Sequence, residues 1–194
     1  MEAIDAGKMN TDVQYRYNFL AKFLHFTKDD ISVLNKVAPA LVPLVPTVVD
    51  AIYKNLFSFD ATKTVFATHK VHFQGNATAT PGGLDLTPER VTFLSDMLAT
   101  YLKKVLTQTE WDKGFLEYLS NLGKVHANKA ESKNIDVNYV YMNATLGYAQ
   151  NLIVNALLSN DLGLDDNTKK AAVLALNKFL CIQNDFFTMH YIPH

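Results

Sequence analysis

The chain carries six histidines and one cysteine, and their spacing is the place to look for chemistry. His126 stands in "NLGKVHAN", where Phe115, Leu119, Leu122 and His126 fall within a band about 60° wide at 100° per residue, so the imidazole continues an apolar helical stripe. A neutral imidazole in an apolar setting must still satisfy its ring nitrogens, through a hydrogen bond or a metal. Pattern alone leaves both open, and a core histidine bonded to a backbone carbonyl is the commoner case. Gly123 and Ala127 beside it leave room for something bulky to approach. His69 and His72 in "ATHKVHFQGN" are three apart, a spacing that puts two imidazoles on one helical face as metal ligands, although no third ligand accompanies them. His25, His190 and His194 read as surface or terminal residues. Cys181, in the apolar "KFLCIQNDFF", reads as a buried structural thiol.

The familiar catalytic motifs do not occur: there is no Gly-rich phosphate loop, Cys-x-x-Cys, His-Glu-x-x-His or Gly-x-Ser-x-Gly. Any chemistry at His126 therefore has to come from its setting, which depends on the elements that hold it.

Those elements read as helices throughout. "VQYRYNFLAKFL" is an N-terminal helix. "FTKDDISVLNKVA" starts with Thr27 as N-cap, Asp30 in a capping-box position and Phe26 placed to staple against Ile31. Pro39, Pro43 and Pro46 break or restart the next piece, which then runs helically through Val49, Ile52 and Leu56 to end near Phe57. From Phe59 to Leu86 the periodicity fails and "QGNATATPGGLDL" reads as a long surface connection. Thr87, Pro88 and Glu89 open a helix carrying Leu94, Met97, Leu98, Tyr101 and Val105. "QTEWDKGFLEYLSNLGKVH" follows, and then two long apolar helices, about Val137 to Ser159 and about Asp166 to Met189, joined by "NDLGLDD". No alternating segment demands a strand, and no repeat or sustained heptad occurs. The chain reads as a single all-α domain over 1–194.

Composition narrows the partners. With 48% hydrophobic and 19% charged residues and a formal net charge of −1, the chain is ordinary globular material, so nucleic acid and anionic membrane are poor partners. No apolar run reads as a bilayer span, the N-terminus lacks a signal-peptide pattern, and one unpaired cysteine fits a reducing compartment; the expected location is cytoplasmic.

Three blocks together resemble the protoglobin and globin-sensor family: "YRYNFLAKFLHFTKDDISVL", "VVDAIYKNLFSFD" with its Asp-x-x-Tyr pattern at Asp50 and Tyr53, and "EYLSNLGKVHANKAESKNIDVNYVYMNATLGY" with its acidic-Tyr pair, hydrophobic-Gly pair and histidine in family order. The match covers most of Tyr15 to Leu158; Asp60 to Leu86 and the C-terminal helix match loosely. The resemblance implies a globin fold, the three-over-three helical sandwich with an additional N-terminal helix, and heme b (iron protoporphyrin IX) as cofactor. It implies that His126 is the proximal iron ligand and Tyr53 the distal tyrosine, able to donate a hydrogen bond to bound oxygen. From residue pattern alone Tyr53 reads first as a boundary tyrosine with its hydroxyl in water, since it flanks the Val49, Ile52 and Leu56 stripe. Phe93 and Met97, one or the other of them innermost, would wall the pocket together with Tyr148 and Leu152; by pattern alone all four are ordinary core. A second axial histidine from His69 or His72 is the lesser alternative.

The implied function is binding or sensing of a diatomic gas (O2, CO or NO) at the open side of the iron. A heme redox enzyme such as a nitric oxide dioxygenase, with peroxidase-like side activity, is the alternative from another class, and a heme-free helical interaction module is the third. The apolar C-terminal helices, "GYAQNLIVNALL" above all, imply a homodimer face.

Overall fold

The structure is a computed structural model that describes residues 3–68, 88–130 and 135–192. It is all-α: α1 (Ala6–Thr11), α2 (Val13–Leu24), α3 (Lys28–Leu41), α4 (Val45–Leu56), α5 (Asp60–Thr68), α6 (Pro88–Thr107), α7 (Lys113–His126), α8 (Tyr139–Leu158) and α9 (Asp166–Tyr191). Among the described residues the only strand-like pairing is an isolated bridge between Ala127 and Asp136.

Local chemistry sets most boundaries. Asp5, Asp12, Asp112, Asn138 and Asp165 each accept a backbone N–H as N-cap, and Thr27 with Asp30 forms the expected capping box at α3. The three prolines act differently from one another. α3 continues through Pro39; Pro43 lies in a 3-10 turn, Val42–Leu44; Pro46 occupies the first turn of α4, where its missing N–H leaves no bond unmade. The expectation of irregular chain from Phe59 is corrected in part, because Asp60–Thr68 is helical. α1 was not legible as an element either: six residues give no apolar period to read.

Against the sequence expectation, the helical run Lys28–Leu56 has the length and the mean hydropathy, 1.5, of a bilayer span. The 3-10 turn interrupts it, and a third of its most apolar stretch is buried in the bundle, Leu34, Val37 and Ile52 almost wholly.

α9 is the hub, packing on α3, α7 and α8; α6 lies on α3 and α4, and α4 crosses α8. The main core joins Leu34, Ile52, Leu116, Leu119, Leu157, Ile182 and Phe186. At its N-terminal side the Phe26 ring meets Trp111 at 4.9 Å, and Trp111 meets Phe115 and Phe179 edge-on. The half-buried Arg16–Asp185 pair (Nη2 to Oδ1, 2.9 Å) fastens α2 to α9, while Arg16 also donates to the Met9 carbonyl and so holds α1.

Candidate functional site

His126 is the last residue of α7 and is fixed from several sides. Its helix is pressed on α9 at Gly123, where a Cβ would lie 2.7 Å from the Phe186 carbonyl oxygen and 2.9 Å from the Phe187 Cα. The clearance inferred from Gly123 is thus filled by the α9 backbone, and the glycine serves helix–helix approach. Ser120 and His190 hydrogen-bond at 2.9 Å across the same interface, which corrects the reading of His190 as a surface residue. After α7, Asn128 takes a left-handed φ of 56°, the Ala127–Asp136 bridge folds the chain back, and Val137 N–H donates to the His126 carbonyl at 2.9 Å.

The ring itself is set by one bond. His126 Nδ1 lies 2.7 Å from the Leu122 carbonyl oxygen, and a carbonyl only accepts, so Nδ1 carries the proton and Nε2 carries the lone pair. Burial pushes the imidazole pKa below its ordinary 6.5, partly opposed by that hydrogen bond, which keeps the ring neutral. Phe187 packs edge-on against it with ring centroids 5.6 Å apart.

His126 lines a cavity of about 990 Å³ between α4, α6, α7, α8 and α9, at the top of the roughly 300–1,000 Å³ range of small-molecule sites. Its wall is mostly aliphatic and aromatic, with Tyr53, Thr62, Tyr101, Tyr118, Tyr141 and Thr145 as polar exceptions besides His126, and Asp96, Thr100, Asn121 and Lys124 at exposed positions.

Tyr53, Phe93 and Met97 line the same cavity, so the structure brings them together with His126. Tyr53 is buried on α4, packs against Phe57 with the rings tilted and their centroids 5.6 Å apart, and donates its hydroxyl hydrogen to the Leu94 carbonyl on α6 at 3.0 Å. Burial raises its pKa, so the phenol stays protonated. Of the pair in doubt, Phe93 is the half-buried one packed on the core, whereas Met97 is 50% exposed. Tyr148 and Leu152 are placed elsewhere: both pack on the core, and α8 turns Met142, Thr145, Leu146, Ala149 and Ile153 to the cavity instead. The helix is apolar on most sides, so its inward face cannot be read from its residues. Cys181 is exposed, on the side of α9 opposite Leu180, Ile182 and Phe186, correcting the buried-thiol reading. His25 caps α2 in the left-handed region, with its carbonyl accepting from Lys178 Nζ. His69, His72 and His194 lie outside the described residues.

Tyr101, half-buried on α6, escaped notice as a site residue, although it lies one turn beyond Met97 on the stripe already marked. Its pairing with Gln183 across 82 residues left no local signal.

Among the described residues no group of three or more His, Cys, Asp or Glu is placed to hold a bare metal ion. One fixed, neutral imidazole in an apolar cavity suits instead a metal that arrives with its equatorial ligands in a macrocycle and needs a single axial donor from the protein. The donor set therefore fits heme.

Comparison with known proteins agrees. The structure is similar to the globin domain of Geobacter sulfurreducens globin-coupled sensor, with a TM-score of 0.70 over 91% of this chain and 97% of that one, at 15% sequence identity, a likeness that shows the globin fold. No curated protein sequence matches the chain. The family model described as Protoglobin matches residues 13–194, and on that extent the chain belongs to the Protoglobin family.

Proposed function

We propose that this protein is a heme globin that binds a diatomic gas on heme iron, with His126 as the residue that would ligate the iron. The supporting observation is the tautomer: a proton held on Nδ1 by the Leu122 carbonyl leaves the Nε2 lone pair available on a ring that already lines the cavity. Heme, when bound, would supply an iron able to bind a diatomic gas, and His126 would be the residue that holds it. The chain's own part is to hold the imidazole neutral, exclude water with an apolar wall and dispose the few polar groups nearby. Gas binding or sensing is preferred to redox turnover, because Tyr53 has its only proton on Leu94 rather than directed at a reacting group. A heme-free interaction module has no use for a cavity of this size.

Titration of the apoprotein with heme should give a stoichiometric complex. His126→Ala should weaken it by more than the about 10–100-fold that loss of a ligand's hydrogen-bonding partner costs; equal affinity of the two proteins defeats the assignment of His126. The same reading makes the protein cytoplasmic and a symmetric homodimer through α8 and α9. Val140, Leu158 and Leu174 expose 67%, 57% and 51% of their surface on these helices, apolar side chains that a partner copy would cover. Light scattering at micromolar concentration should return twice the chain mass of 21.7 kDa; the single mass rejects the dimer.

A further inference from the structure

Gln183 on α9 is wholly buried and both ends of its amide are engaged. Nε2 donates to the Leu119 carbonyl of α7 and Oε1 accepts from the Tyr101 hydroxyl of α6, each at 3.2 Å. The polarity of this bridge is dictated from one end. A carbonyl only accepts, so Leu119 turns Nε2 toward itself; Oε1 must then face Tyr101, which is left to donate. Leu119 lies two turns before His126 on the same stripe, and Tyr101 lines the cavity from the neighbouring helix. A Met of similar length would fill the same space without needing partners, so packing alone does not call for a buried amide here.

We propose that Gln183 is a positioning residue that ties the Tyr101 wall of the cavity to the His126 helix through α9, so that an occupant displacing α6 shifts α7. The bridge joins the two helices through α9, beside a direct contact of the Lys104 ammonium of α6 over the Tyr118 ring of α7 at 4.0 Å, whereas Gly123 on Phe186 and Ser120 with His190 engage α9 alone. The inference rests on the heme reading. It adds that gas binding is communicated to the proximal helix through a defined polar contact, whose removal uncouples the two.

The test is hydrogen exchange of the α7 backbone, read by mass spectrometry on ferrous heme-loaded protein with and without carbon monoxide. It is run on wild type, Gln183→Met, Tyr101→Phe and the double variant, with loading verified in each by the Soret band. Wild type should show a carbon monoxide-dependent change in exchange around Leu119 to Gly123 of about fivefold or more, the usual lower range of coupling between sites. Either single variant should abolish it, and the double variant should lose no more than Gln183→Met alone. A wild-type-sized change in Tyr101→Phe or Gln183→Met, no change in wild type, or fully additive losses overturns the coupling. A wild type without a Soret band overturns the heme reading on which it rests.

Discussion

The two sides of the cavity use the same device to opposite effect. On α7, His126 gives a hydrogen bond to a carbonyl of its own helix; on α4, Tyr53 gives one to a carbonyl of α6. An imidazole has two nitrogens, so fixing one orients the other as a ligand. A phenol has one proton, so fixing it removes the donor. A backbone carbonyl therefore arms the histidine side and quiets the tyrosine side. The helices differ likewise: α7 is locked on α9 by backbone contact at Gly123, whereas α6 meets the cavity through side chains, among them Phe93, Tyr101 and an exposed Met97.

Breaking the armed side should have the largest effect. Gly123→Ala drives a Cβ into α9 backbone atoms that cannot turn aside, costing about 1–3 kcal/mol or more as overpacking. It should displace His126, so that chemical denaturation and heme titration both report the loss. The same substitution at Gly147, where a Cβ meets open space, should leave both nearly unchanged.

The contrast extends to pH. Because burial holds His126 below 6.5 in the folded protein, acid favours the unfolded chain, which takes up the proton first. Its contribution to the stability of the apoprotein is complete above about pH 6.5 and declines as pH falls from there toward the lower folded value. His126→Leu should flatten that part of the pH–stability curve, and an unchanged slope would assign the acid sensitivity to another group.

The smallest effect sharpens the quiet side. If the Tyr53 hydroxyl stays on Leu94, Tyr53→Phe should change carbon monoxide and oxygen affinity by less than about threefold, under about 0.7 kcal/mol. Stability should fall by about 1 kcal/mol for the lost hydrogen bond. A tenfold loss confined to oxygen would show instead that the hydroxyl leaves Leu94 for the bound gas.

What the sequence shows and conceals follows the same line between local and distant partners. The capping box at Thr27 and Asp30, the span of α2 and the inward stripe ending at His126 are written in residues three or four apart, and they were legible. The acceptors of Tyr53 and Gln183 come from other helices and left no trace in either segment. Tyr148 and Leu152 were placed on the cavity wall because α8 lacks a polar face to exclude them, while Ala149 and Ile153 hold that place. Gly123 signals that something bulky approaches, and the structure shows that this is the α9 backbone, since a glycine records that something approaches but not what. Cys181 lies among apolar neighbours yet on the outer side of α9, where the surrounding stretch is too rich in apolar residues to reveal a period.

The central claim is that His126, its Nδ1 held by Leu122, ligates heme iron and leaves the other face open to a gas. It is tested most directly by absorption spectra of the purified heme-loaded protein and of His126→Ala, in the ferric, ferrous and carbon monoxide forms. The account predicts a Soret band in the wild type that moves on adding carbon monoxide, and its loss or displacement in the variant. A wild type without that band, or a variant with an unaltered one, would contradict it.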